Sequence, residues 1–91
     1  MANSQYKGSV TPSGTWAQEP AAGWTVQHPS TGVYTINHYQ GTINYSVSLS
    51  AWDDANLIQA FNTIENSFQV QVLDSNQQPV DAGFYLAMFV S

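Results

Sequence analysis

The chain reads as an all-β protein, a small antiparallel β-sandwich of jelly-roll-like type, on three observations. Apolar and polar residues alternate through Trp24-Thr-Val-Gln-His28, Val33-Tyr-Thr-Ile-Asn-His38 and Ile43-Asn-Tyr-Ser-Val-Ser-Leu49, the period-two spacing of half-buried strands. Phe68, Val70 and Val72 repeat the pattern, and an apolar run from Phe84 to Val90 follows. Clusters of turn formers, Pro29-Ser30-Thr31-Gly32 and Asp74-Ser-Asn-Gln-Gln-Pro79, separate these runs.

Taken in order, Gln5 to Val10 fits a short edge strand containing Gly8, and Thr11-Pro12-Ser13-Gly14 a turn, with Trp16 just beyond. Glu19 to Gly23 is a second loop. Trp24 and Val26 then face one way, answered across the Pro29–Gly32 turn by Tyr34 and Ile36. Ile43, Tyr45, Val47 and Leu49 oppose Asn44, Ser46, Ser48 and Ser50, so this strand has a wet face. Leu57 to Ile64 is open: Leu57, Ile58, Phe61 and Ile64 recur at helical spacing behind Asp53, a candidate N-cap. Asn56, Asn62 and Thr63 are poor helix formers, and the neighbouring strands leave a sheet that wants another member, so the reading leans to strand. After Phe68, Val70 and Val72, the Asp74–Pro79 cluster is expected to close a hairpin. The last strand puts Phe84, Leu86 and Met88 on one face and Tyr85, Ala87 and Phe89 on the other. Both faces are apolar, which calls for a second covering layer: another subunit, or loops folded over a central strand.

The 91 residues make a single domain, with residues 1–7 allowed as a flexible or subunit-contacting N-terminal arm. A chain this short buries only about 60–65% of the surface its unfolded form exposes. With no cysteine, disulfides and thiolate metal sites are excluded, which leaves oligomerisation as the leading way to reinforce the core. Lys7 is the one basic residue against six acidic ones, a formal charge of -5. Such a chain repels phosphate backbones and anionic membranes, so no nucleic acid partner is expected. Met1 to Gln5 is polar, and neither a signal peptide nor a membrane-inserting helix is read. Few charges among many Ser, Thr, Asn and Gln is a composition familiar in secreted and virion-surface β-proteins.

Catalytic signals are sparse. His28 and His38 would lie roughly 15 Å apart across a simple hairpin, too far to share a metal ion. The Asp74 loop lacks the glycine and the terminal glutamate of a calcium loop, with Pro79 and Tyr85 in their places. Asp53 and Asp54 are sequence neighbours with no third group evident. No nucleophile elbow or phosphate loop occurs, so no enzyme, metal or cofactor is expected. Among the aromatics, Trp24 reads as core, whereas Trp16, Tyr39 and Trp52 are the ligand-binding candidates, with edge packing or subunit contact as the competing role.

The stretch Trp24-Thr-Val-x-His-x-x-Thr-Gly32-Val-Tyr34-Thr-Ile resembles a recurrent segment of bacteriophage tail-fibre tips and related short virion modules. Ser67-Phe68-x-Val70 and Asp81-x-x-Phe84-x-Leu86-x-Met88 continue the same outline. The resemblance implies a sandwich that trimerises about a threefold axis, as fibre knobs and C1q-like jelly rolls do. It would make Leu57 to Ile64 a strand, place Phe84, Leu86 and Met88 in the core beside Trp24, Val26, Tyr34, Ile36, Tyr45, Val47, Phe68 and Val70, and aim Tyr85, Ala87 and Phe89 at neighbouring subunits. The implied role is a non-enzymatic virion surface component, made soluble in the host cytoplasm, that attaches to a host glycan or protein. Tail fibres carry an anchor and stalk that are not seen before this segment, which makes capsid decoration, with other virion proteins as partners, a close rival. A carbohydrate-binding module of a secreted protein is the third reading.

Overall fold

In the computed structural model, residues 4–91 are described. They form eight strands: β1 (Ser4–Val10), β2 (Trp16–Gln18), β3 (Thr25–Ser30), β4 (Val33–Asn37), β5 (Tyr45–Ala51), β6 (Leu57–Phe61), β7 (Ser67–Leu73) and β8 (Phe84–Val90). These make two antiparallel four-stranded sheets, ordered β2-β1-β8-β5 and β3-β4-β7-β6. The protein is therefore an all-β sandwich, with no helix among the described residues.

Period-two patterning becomes a core because register aligns the apolar positions of neighbouring strands. Ile36 pairs with Phe68 and Tyr34 with Val70 in one sheet, while Val47 pairs with Met88 and Leu49 with Leu86 in the other. Directly opposed residues share a face, so each pairing adds to one continuous apolar layer. Tyr34, Ile36, Phe68, Val70, Phe84 and Met88 are wholly buried, and Trp24 and Leu86 nearly so. Val26, Tyr45 and Val47 are half-buried and pack against this cluster. Each large side chain fully buried contributes about 1.5–3 kcal/mol. Tyr34 satisfies its hydroxyl by donating to the Pro12 carbonyl at 2.7 Å, and its ring meets the edge of Phe84 at 5.3 Å.

Several expectations are corrected. β1 is not the outermost strand: it pairs with β8 along its length and with β2 at Ser9 and Val10. Ser4 to Lys7, allowed above as part of an arm, belong to β1; residues 1–3 lie outside the described residues. The Asp74–Pro79 turn closes a hairpin of a single bridge, Leu73 with Pro79. The chain then crosses to the opposite sheet, because β8 finds its partners in β1 and β5. Ile43 precedes β5 and is 72% exposed. Leu57 to Phe61 is a strand on β7, with Ile58 opposite Val72 and Ala60 opposite Val70. It ends three residues before Ile64, which with Leu57 is exposed.

Candidate functional site

The two outer faces of the sandwich differ in chemistry. On the β3-β4-β7-β6 sheet, polar side chains bond to one another: Gln69 donates to Thr35 and accepts from Asn62, Gln59 donates to Gln71, and Asn37 donates to Thr25. Those side chains are tied to one another across that surface.

The outer face of the β2-β1-β8-β5 sheet is built differently, in three rows set by the register of β8 with β1 and β5. Gln5, Phe89 and Ser46 form one row, Lys7, Ala87 and Ser48 the next, and Ser9, Tyr85 and Ser50 the third. Tyr85 and Phe89, 55% and 38% exposed, stand on either side of Ala87. Four residues of strand separate them by about 13 Å. Because Ala87 has only a methyl group, the space above it is open, and a groove of about 290 Å³ results, lined by Lys7, Gln18, Ser48, Ser50, Tyr85 and Ala87 among others.

Trp52 borders this face. Its N–H bonds the Gly83 carbonyl at 3.0 Å, and its indole lies where a side chain on Gly83 would otherwise stand. Only glycine leaves room for that seat. The indole is 42% exposed and its ring centre is 5.9 Å from that of Tyr85. Asp53 stabilises the following turn through its carboxylate, which accepts the Ala55 N–H at 3.0 Å.

The three aromatic ligand candidates are not brought together. Trp16 lies in β2, at the opposite sheet edge from β5, three strand spacings or about 14 Å away. Its indole N–H donates to the Trp24 carbonyl at 3.3 Å, so it is largely committed to packing. Tyr39 sits beyond β4 with φ of 56°, 60% exposed, with its hydroxyl 3.4 Å from that of Thr25. It is held by N–H bonds of the 38–42 loop to Asn66 and Glu65, at the other end of β5 from Trp52. Trp52 instead lies beside Tyr85, at the Gly83 end of β8 and away from Phe89. Lys7, Gln18 and the β5 serines carry no local signal of a site; the alternation of β5 shows a wet face, but not what lies beside it.

His28 and His38 also stand apart. The ladder between β3 and β4 is irregular between Gln27 and Ser30, where Pro29 offers no N–H. Here the His28 ring stacks on Tyr34 at 4.3 Å. Its Nδ1 faces the Val33 carbonyl at 2.8 Å and its Nε2 the Asp81 carboxylate at 2.9 Å. Both neighbours can only accept, so the doubly protonated ring is favoured and the pKa is raised. The Val33 carbonyl is the main cause, burial opposes it, and Asp81 adds to it. Asp81, which also accepts the Gly32 N–H at 2.8 Å, is in turn held below its ordinary pKa, first by that N–H and then by His28. His38 is buried against Trp24, Tyr45 and Phe68. Among the described residues no three His, Cys, Asp or Glu cluster as a metal site would require.

No family model and no curated protein matches the chain. Among solved structures it resembles the phiAB6 tailspike, crystallised in complex with three-repeated oligosaccharides of Acinetobacter baumannii surface polysaccharide. The TM-score is 0.63 at 20% identity, and the match covers 93% of this chain and 20% of the tailspike. The chain thus spans about a fifth of that protein's length, and the likeness is one of fold.

Proposed function

We propose that this chain is a non-enzymatic, tail-fibre-tip-like module of a bacteriophage virion surface that mediates host attachment, with the outer face of the β2-β1-β8-β5 sheet as its working surface. The observation that carries this reading is the exposed Trp52–Tyr85 pair beside a largely apolar groove bordered by Lys7, Gln18, Ser48 and Ser50. Exposed aromatic rings offer flat apolar area to sugar rings, and serine and glutamine offer hydrogen bonds to their hydroxyls. A fold shared with part of a tailspike crystallised with oligosaccharides supports the same class of contact. Glycoside hydrolysis ordinarily needs a pair of carboxylates flanking the bond. The groove residues are Lys7, Gly8, Gln18, Ser48, Leu49, Ser50, Tyr85, Leu86 and Ala87, a lining suited to holding a saccharide.

A second reading rests on the same strand. Tyr85, Ala87 and Phe89 would meet neighbouring copies in a homotrimer, and the trimer would decorate a capsid. The test adds fluorescent protein to host cells and to phage particles lacking it. Attachment predicts saturable binding to cells that Trp52→Ala and Tyr85→Ala reduce by about fivefold or more, given about 1–3 kcal/mol for a stacking aromatic. Binding to particle heads with no binding to cells would reject attachment in favour of decoration.

A further inference from the structure

Lys7 is the only lysine or arginine of the chain, and it lies in the middle row of the aromatic face, beside Ala87 and on the groove wall. No carboxylate pairs with it among the described residues, where the one ion pair is His28 with Asp81. Every other fixed side-chain charge is negative. The groove thus combines one cation, hydroxyl and amide donors from Ser48, Ser50 and Gln18, and a partly exposed ring, Tyr85.

Resting on the attachment reading, we infer that this groove binds a sugar carrying a single carboxylate, a hexuronic acid residue of a surface polysaccharide. The ammonium group of Lys7 would meet the carboxylate in a charge-assisted hydrogen bond. Tyr85 would take the apolar face of the ring, while the serines and Gln18 would bond its hydroxyls. The single lysine sets the class of anion: one carboxylate matches one ammonium group, whereas the net charge of -5 opposes anions in general and a polyphosphate far more than a sugar with one carboxylate. The groove, at about 290 Å³, is near the small end of ligand pockets, which suits a single sugar unit.

Lys7 has a competing structural role. β2 pairs with β1 only at Ser9 and Val10, so Lys7 lies beyond its reach, and a lysine at an open strand edge deters pairing with other chains. That role predicts altered self-association and no effect on sugar binding. The two are separated by titrating the protein with methyl β-glucuronide and with methyl β-glucoside, probes that differ only at the carboxylate. Backbone amide shifts are followed by NMR. The glucuronide should bind about fivefold or more tighter, shifting the amides of Lys7, Ser48 and Ala87, with a preference that weakens as salt is raised. Lys7→Gln should bring the two affinities together, and Lys7→Arg should keep them apart. Equal affinities for the two probes, shifts confined to another surface, or an undiminished preference in Lys7→Gln would overturn the inference. Because these titrations use no cells, protein that binds host cells yet shows no glucuronide preference refutes the uronate site and leaves attachment standing. A clear preference without cell binding refutes attachment alone.

Discussion

The two histidines, ten residues apart, carry opposite electrostatics. His28 is held between two acceptors, which favours its charged form and raises its pKa above the ordinary 6.5. His38 is 1% exposed, and burial lowers its pKa, with the Ile64 carbonyl partly opposing. The Gln40 N–H donates to its Nδ1 at 3.1 Å, so the neutral ring carries its proton on Nε2, and protonating Nδ1 would cost that bond. NMR titration should therefore find His28 titrating above 6.5 and His38 below it; a reversed order, or a common pKa, would contradict this. The stability consequences follow by linkage. The His28 contribution is complete below 6.5 and is lost as pH rises through its raised pKa. The His38 contribution is complete above 6.5 and is lost as pH falls through its lowered pKa, and that of Asp81 is lost below 3.8. Melting temperature should peak near the crossing of these windows.

At the scale of elements, most strands were legible because alternation is a property of neighbouring residues. Those bounded by clear turns, β4, β5, β7 and β8, were the plainest, and their inward positions became the core or, in β5, packed half-buried against it. The β6 segment was ambiguous because its apolar residues fit two periods; pairing with β7 selected the one that buries Ile58 and Ala60. The three-residue β2 carries too few positions to show any period. Gly32 illustrates an element held from outside itself. Its φ is +73°, and a Cβ there would sit 2.7 Å from the Val72 carbonyl oxygen and 2.9 Å from the Val80 nitrogen. Gly23 has φ of +92° but open space around it. Both Gly→Ala changes should cost roughly 1 kcal/mol for the backbone conformation. Gly32→Ala should cost roughly 1–3 kcal/mol more through the collision, each kcal/mol lowering Tm by roughly 4–8 °C. Equal losses in the two variants, measured by calorimetry, would show that the Val72–Val80 backbone yields freely.

The described residues form an elongated body, 43 × 20 × 19 Å, with a radius of gyration of 12.5 Å. One broad side is a self-bonded polar surface and the other presents Tyr85 and Phe89. A proposed homotrimer and the proposed ligand groove would compete for that second side, and one substitution distinguishes them. If Tyr85, Ala87 and Phe89 pack against neighbouring copies, Ala87→Arg should convert a trimer to a monomer by light scattering at micromolar concentration. If the face is free, the same change should leave the mass unaltered and block the groove. A wild-type monomer would remove the trimer from the proposal and leave the groove accessible.

By itself the sequence determined an all-β chain, most of its inward-facing positions and a final strand apolar on both sides, because each follows from spacing within a few residues. It also showed a single basic residue, but not its surroundings. The tertiary structure alone decided that β8 lies between β1 and β5, and hence that Lys7, Ala87 and Ser48 form one row. Those residues are distant in the chain and meet through sheet register, which depends on how every strand packs at once. The same physics seated Trp52 over Gly83 beside Tyr85 and parted it from Trp16 and Tyr39.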